Sequence, residues 1–328
     1  MSAPDGWALR MRASIAARLP VAGHGGVRSW FGYAPAIAFI VLAAVAAITS
    51  DAFLSSGNLS NLLRQIVTNG LISLGMLVVI LTGGIDLSVG SIVALSGIVA
   101  AGLQGVLPWW LAIAVALAVA AGAGVVNGLL VAVIRLPPFI ATLATLSAIR
   151  GVVYVVSETP IVPEDPTLRG LVASTLGPIP TVALLMLGCF GLMSVFMNRT
   201  PAGRSILAIG GNEEAVRLAG INVRAHVLFA YVLCGVLSGL AGVILASRVG
   251  IAQPSVGIGL ELDAIAACVI GGAVLGGGGG TVRGTLVGVF LLGLINNLLN
   301  LYNVQSYYQQ IVKGALIVFA VIVRRRDS

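Results

Sequence analysis

The stretch LTGGIDLSVGS, residues 81 to 91, places the carboxylate of Asp86 between two long apolar runs. Two glycines precede Asp86, and a serine lies on either side of the third glycine, Gly90. Of the 328 residues, 58% are apolar and only 9% are charged, and the mean hydropathy is +1.07. Soluble domains carry about 25% charged residues. Because only helices and closed barrels satisfy the backbone in lipid, these long apolar runs predict an all-α polytopic membrane protein.

Ten apolar segments are predicted to cross the membrane as helices, and some of them are short or broken by glycine. They are residues 35–50, 65–81, 89–107, 109–134, 139–157, 179–198, 225–246, 260–275, 285–301 and 306–323. The fifth and eighth are the weakest. If both were re-entrant, the sixth and seventh would reverse direction and the arginine-rich loop 199–224 would face outside, which the positive-inside rule disfavours.

The distribution of basic residues predicts that both termini are cytoplasmic. The segments on that side hold 13 of the 18 basic residues, and the predicted outer segments hold three, Arg64, Arg169 and Arg248. Such asymmetry sets membrane orientation. The net charge of +7 is therefore attributed to the orientation of the chain in the membrane, and no nucleic-acid partner is expected.

The predicted organisation is one membrane domain with short polar ends. Residues 1–34 are predicted to form a cytoplasmic segment, which is too long for the head of a secretory signal. Residues 35–323 form the transmembrane domain, and 324–328 a cytoplasmic tail. Two longer loops are expected within the domain, an external one at 158–178 and an internal one at 199–224. The three cysteines fall inside apolar runs without metal-ligand spacing, so no metal site is predicted.

A carboxylate at Asp86 must face protein, water or a helix end, because an ionised group in lipid is costly. One interpretation is structural: Thr82-Gly83-Gly84 ends one helix, and Asp86 and Ser88 cap the amides that open the next. The second is a broken-helix element lining the path of a polar solute, formed by Gly83, Gly84, Asp86, Ser88 and Gly90. A proton-relay carboxylate is a third interpretation, less favoured because no second intramembrane acid or histidine accompanies it.

Four stretches resemble the membrane permease subunit of ribose-type (monosaccharide) ABC importers. They are GGIDLSVGSIVALSG (83–97), GVVNGLLVAVIRLPPFIATLATLSAIRG (124–151), GRSILAIGGNEEAVRLAGINV (203–223) and IGGAVLGGGGGTVRGTLVGVFLLGLINNLLNL (270–301). The resemblance implies a bacterial inner-membrane importer for a pentose or hexose. Its implied partners are a second permease chain, identical or related, an external solute-binding protein, and two cytoplasmic ATPases or one tandem ATPase chain. A nucleoside, a polyol or a signalling furanose is the alternative solute.

ATP hydrolysis is expected on a partner, because the sequence contains no GxxxxGK[ST] motif, and no cofactor is expected on this chain. The internal loop contains EAVRLAG (214–220), which resembles the EAA-loop pattern of ABC permeases. Asn212 is a predicted helix N-cap, and Gly220 lies where that helix would end. The candidate coupling residues are Glu213, Glu214, Ala215, Arg217 and Gly220. The alternative for this segment is an ordinary solvated loop helix.

The candidate residues for the solute path are polar groups within spans: Asn127, Thr142, Thr145, Asn296 and Asn297. Such groups also join helices to one another, and packing is the favoured interpretation for Asn127. Asn296 and Asn297 point about 100° apart, so at most one lines a path. Outer charges, among them Glu261 and Asp263, are candidates for contacts with a binding protein. An ion-coupled transporter would need paired intramembrane charges, and these are not evident in the sequence. A membrane enzyme would need a cluster of His, Asp and Glu, which is not evident either.

Overall fold

The computed structural model describes residues 25–325, in which thirteen helices and one two-stranded ribbon are found. The first helices are α1 (Gly25–Thr49), α2 (Ser56–Leu81), α3 (Val89–Gly102), α4 (Trp109–Ala132), α5 (Pro138–Val156) and α6 (Pro166–Gly170). The ribbon pairs β1 (Thr175–Leu176) with β2 (Ile179–Pro180). Then follow α7 (Thr181–Arg199), α8 (Pro201–Gly211), α9 (Glu213–Leu218), α10 (Val223–Val249), α11 (Leu260–Ile270), α12 (Val282–Leu301) and α13 (Ser306–Arg325). The all-α polytopic class is confirmed. Residues 1–24 and 326–328, which include most of the predicted N-terminal segment and of the tail, lie outside the described residues.

Within residues 25–325, six helices are long and apolar enough to cross a membrane: α2, α4, α5, α7, α10 and α12. Each of the ten predicted spans falls on a helix, but the count of ten crossings stays a prediction. The segment predicted at 260–275 is helical only over the eleven residues of α11. At 1.5 Å per residue α11 is about 16 Å long, roughly half the thickness of the hydrocarbon layer.

Helices α2 and α10 form the centre of the bundle. Every residue of α2 from Gly70 to Leu81 is buried, and α10 packs against α2, α3 and α4 at once. On the other side α2 packs against α7, α11 and α12. Helices α4 and α5 keep large exposed apolar surfaces.

Small residues bring α4 and α10 into backbone contact. The buried face of α4 carries a small residue at every fourth position, namely Ala112, Ala116, Ala120, Gly124, Gly128 and Ala132. A Cβ placed on Gly124 would lie 2.5 Å from the carbonyl oxygen of Tyr231 on α10. Close approach through small residues is how membrane helices gain packing energy, since lipid offers no hydrophobic driving force between them.

The segment between α10 and α12 is irregular, and glycines provide its turns. Gly250 ends α10 with φ 76°, and Gly259 precedes α11 with φ 86°. Gly257, with φ 87°, lies against the backbone of Gly90 at the start of α3. The chain therefore returns into the bundle after α10, and the short helix α11 packs on α2 and α12.

Candidate functional site

Asp86 lies fully buried in the connection between α2 and α3, and three donor groups hold its carboxylate. Its Oδ1 accepts from the Ser88 amide at 2.9 Å and from the Ser88 hydroxyl at 2.7 Å. The amide Nδ2 of Asn127, on α4, lies 3.2 Å from each carboxylate oxygen. In the part of the chain described, no Lys, Arg or His nitrogen lies within 4 Å of this carboxylate.

The hydrogen bonds continue from Asp86 into α4 and α5. Asn127 Nδ2 also donates to the Ser88 hydroxyl at 2.8 Å, and Thr145 Oγ1 donates to Asn127 Oδ1 at 2.6 Å. Thr142 Oγ1 donates to the carbonyl oxygen of Ile85 at 3.1 Å. We call Asp86, Ser88, Asn127, Thr142 and Thr145 the Asp86 network. It joins the α2–α3 connection to two neighbouring helices by buried polar groups.

The predicted capping arrangement is only partly found. Asp86 accepts the amide of Ser88, which closes a local turn ahead of the helix, as Asp often does in loops. Ser88 occupies the N-cap position of α3, but its side chain makes no capping hydrogen bond. The prediction that Ser88 caps α3 is wrong, because its hydroxyl donates to Asp86 instead.

The glycines around Asp86 are required by the backbone and by close neighbours. Gly83 adopts φ 85°, which L side chains rarely adopt. A Cβ on Gly84 would lie 2.5 Å from the hydroxyl oxygen of Tyr231, and one on Gly90 would meet the carbonyl oxygen of Gly257. These glycines let the α2–α3 connection pass through the packed interior.

The other candidate pathway residues occupy different places. Asn297 is buried and exchanges two amide hydrogen bonds with Asn58 on α2, at 2.8 and 3.2 Å. Its neighbour Asn296 is only partly buried, in line with the predicted angle between the two side chains. Asn58 was missed because it lies 239 positions from its partner, and no local pattern signals such a pair.

Two further charged contacts inside the bundle were also missed. Lys313 on α13 forms an ion pair with Asp263 on α11 at 2.7 Å, and the two side chains are 28% and 14% exposed. Arg150 on α5 donates to the carbonyl oxygens of Pro254 and Val256 at 2.6 and 2.8 Å. The prediction that Asp263 is available to a binding protein is therefore wrong in this conformation, because Lys313 occupies it.

The internal loop folds as α8 and α9, and its predicted caps are confirmed. The Asn212 side chain accepts from the Ala215 amide at 2.9 Å, and Gly220 follows α9 with φ 80°. Of α9, only Val216 is buried, and Leu218 is 79% exposed. Arg217 donates to both carboxylate oxygens of Glu214 at 2.6 and 2.7 Å, and these hydrogen bonds raise the pKa of Arg217 above its ordinary value. Nearly all of α9 is thus a free surface.

A cavity of about 730 Å³ lies beside α9. It reaches from Glu213 and Arg217 to Arg135, in the α4–α5 connection, and to Gly83 and Gly84 at the end of α2. Asp86 does not line it. The internal loop and the two glycines of the broken-helix element thus border the same space.

Comparison with known proteins gives a consistent family. The family model described as "Branched-chain amino acid transport system / permease component" matches residues 58–321. The ribose import permease protein RbsC of Escherichia coli K12 is 45% identical over 299 residues, covering 89% of this chain and 93% of the relative. RbsC of Bacillus subtilis is also 45% identical, covering 90% and 92%. The L-arabinose transport system permease protein AraH of E. coli K12 is 36% identical, covering 91% and 92%.

No solved structure gives a significant match. The matches over about nine-tenths of the chain, together with the six described helices that are long and apolar enough to cross a membrane, make the chain a multi-pass protein of the bacterial inner membrane. This chain belongs to the branched-chain amino acid transport system / permease component family.

Proposed function

We propose that the chain is the permease subunit of an ABC importer for a monosaccharide, with a pentose as the first candidate and a hexose as the second. The observation that carries this proposal is the 45% identity, over nine-tenths of the chain, to two ribose import permeases. The 36% identity to an arabinose permease adds a second pentose. A nucleoside, a polyol or a signalling furanose is the alternative solute within the same class.

The description of the family model names branched-chain amino acids, which makes such an amino acid the competing substrate class. The individual relatives favour a sugar, because their identity extends over almost the whole of both chains. The choice between the two classes can be measured directly.

Uptake of labelled D-ribose, L-arabinose and leucine in the native host, with and without the gene for this chain, tests the proposal. We expect uptake of one sugar to fall to background in the deletion strain, to return when the chain is supplied, and leucine uptake to stay unchanged. Loss of leucine uptake with intact sugar uptake would overturn the assignment of the substrate class.

The proposed assembly contains a second permease chain, an external solute-binding protein, and two ABC ATPases or one tandem ATPase chain in the cytoplasm. ATP binds to those partners and this chain holds no cofactor. This part of the proposal is supported by the missing GxxxxGK[ST] motif and by the family. The chain itself then supplies the membrane passage and the surface on which the ATPase acts.

We place that surface on α9, at Glu213, Glu214, Ala215 and Arg217, with Gly220 ending the helix. Its support is the exposure of the helix and of Leu218, since a large apolar side chain on a polar loop helix gains stability when a partner covers it. The Glu214–Arg217 ion pair lies on the exposed surface of the same helix. A rigid-body movement of the ATPase is then transmitted through the internal loop.

A pull-down of tagged protein in mild detergent tests the coupling surface. We expect the P-loop ATPase to co-purify with wild type and to be lost with Leu218→Asp. The matched control is Leu176→Asp, because Leu176 is 69% exposed on the β1–β2 ribbon in the predicted external loop. Equal ATPase recovery from both variants would argue against α9 as the docking helix.

The Asp86 network is proposed to fix the shape of the broken-helix element formed by Gly83, Gly84, Asp86, Ser88 and Gly90. The support is the burial of Asp86 and Asn127 together with their mutual hydrogen bonds. Asn127 and Thr142 then orient this element rather than contact the solute. The ion-coupled alternative would need the Asp263–Lys313 pair to open and bind an ion.

A further inference from the structure

Three glycine-rich segments that are distant in sequence meet at the end of α2. The Gly278 amide donates to the carbonyl oxygen of Leu81 at 3.1 Å. A Cβ on Gly277 would lie 2.8 Å from the Cα of Gly210 and 2.9 Å from the Cα of Gly83. We call the segments 81–84, 210–211 and 276–278 the glycine junction. Its members touch through backbone atoms, without intervening side chains.

Gly210, near the end of α8, lies at the tightest point of the glycine junction. A Cβ at Gly210 would meet both the carbonyl oxygen of Leu81 and the amide nitrogen of Gly278, which are the two partners of the hydrogen bond between the other segments. The neighbouring Gly211 differs, because a Cβ there would have no atom within 4 Å. A side chain added at Gly210 would therefore collide with the backbone of both other segments, whereas one added at Gly211 would meet open space.

Each segment of the glycine junction leads directly to a different element of the fold. Gly211 is followed by Asn212, the N-cap of α9. Gly83 and Gly84 lead into the Asp86 turn at the start of α3, and the segment 276–278 connects α11 to α12. Packed backbone is stiff, whereas a long side chain could change rotamer and absorb a shift. A displacement at the end of α8 therefore reaches both irregular segments at once.

We infer that the glycine junction is the mechanical link from the ATPase-docking loop to the membrane interior, and that Gly210 is its positioning residue. The inference rests on the proposed function. It assigns the transmission to backbone contacts at the end of α8, in addition to the helices α7 and α10 that flank the loop covalently. The connection that follows α2 and the segment 276–278 then move together with α8.

The matched pair Gly210→Ala and Gly211→Ala tests the inference in the reconstituted transporter with its ATPase and binding protein. We expect Gly210→Ala to assemble and to retain ATP hydrolysis within about twofold, while sugar import falls about tenfold, which lies within the range reported for residues in coupling networks. Gly211→Ala should keep both activities near wild type. Import by Gly210→Ala at the wild-type rate, or equal losses in both variants, would overturn the inference.

A second measurement on the unaltered transporter decides the question should Gly210→Ala fail to assemble. Hydrogen–deuterium exchange is compared between the resting complex and the complex trapped with a non-hydrolysable ATP analogue. We expect exchange in residues 79–88 and 274–281 to change together with exchange in 208–218. A change confined to 208–218 would contradict the inference. Failure of the proposed function shows separately, as absence of sugar import by the wild type.

Discussion

Asp86→Asn and Asn127→Asp, made singly and together, measure how strongly the Asp86 network holds the α2–α3 connection. In the wild type Asn127 Nδ2 lies 3.2 Å from both oxygens of Asp86. Asp86→Asn puts an NH2 group beside the NH2 group of Asn127, so a buried N–H is left without an acceptor, while Asn127 Nδ2 keeps its hydrogen bond to the Ser88 hydroxyl. Leaving a buried donor without a partner costs about 1–3 kcal/mol, so we expect a loss near 2 kcal/mol. Asn127→Asp sets two carboxylates against each other and should cost about as much or more.

The double variant restores an amide facing a carboxylate with the two positions exchanged. Thr145 can still donate to residue 127, where Asp supplies an oxygen as Asn did, and Ser88 can still donate to the side-chain oxygen of residue 86. We therefore expect the double variant to be more stable than the sum of the single losses predicts, by about 2 kcal/mol, within the range of coupling energies for residues in contact.

The Tm of the wild type, the two single variants and the double variant is measured by thermal unfolding in detergent, followed by intrinsic tryptophan fluorescence. A change of 1 kcal/mol corresponds to about 2–4 °C in Tm for chains of 150–250 residues, and somewhat less for this one. The control is Asp86→Asn combined with Asn296→Asp, because Asn296 lies outside the network, and these two effects should add. If the Asp86 and Asn127 effects also add without recovery, the network does not stabilise the connection and the reasoning fails.

Two further predictions concern packing between helices. Lys313→Met or Asp263→Leu alone should lower Tm, because each leaves a mostly buried charge unpaired and reduces the free energy of unfolding by about 3 kcal/mol. The double substitution should recover most of that loss. Unchanged Tm in both single variants would show that water already screens the pair. Gly124→Val should separate α4 from α10 and cost about 1–3 kcal/mol, while Gly122→Val on the same helix, with open space at its Cβ, should be nearly neutral in the same assay. Equal Tm values for the two glycine variants would count against close backbone packing of α4 on α10.

The sequence was sufficient for the features that depend on local pattern. Apolar runs predicted the helices of the bundle, and the sequence NEEAVRLAG predicted α9 with its N-cap at Asn212 and its end at Gly220. These signals are short-range because a cap and a helical turn involve residues three or four apart. The bounds were less accurate: α2 begins at Ser56 rather than at 65, since its first turns contain polar residues that a hydropathy argument excludes.

The polar contacts of the site could not be predicted, because their partners are far apart in sequence. The partner of Asp86, Asn127, lies 41 positions along the chain, and the partner of Asp263, Lys313, lies 50 positions along. A single sequence shows that a buried polar group must have a partner, but it does not identify which one. Asp263 illustrates the consequence. Its place at a helix end predicted an exposed outer carboxylate, but in the folded chain that carboxylate pairs with Lys313 on α13.

The arrangement at residues 81–91 also explains why its glycines and its polar residues belong together. Ending one helix and starting the next inside a packed bundle leaves backbone groups that must find partners in the protein, because they are buried away from water. The glycine junction does this on one side, where the carbonyl oxygen of Leu81 accepts from Gly278. The Asp86 network does it on the other, where Thr142 donates to the carbonyl oxygen of Ile85 and Asp86 accepts the amide of Ser88. Glycine permits the close backbone approach, and the short polar side chains replace the lost helical hydrogen bonds, so removing either kind of residue leaves the break without support.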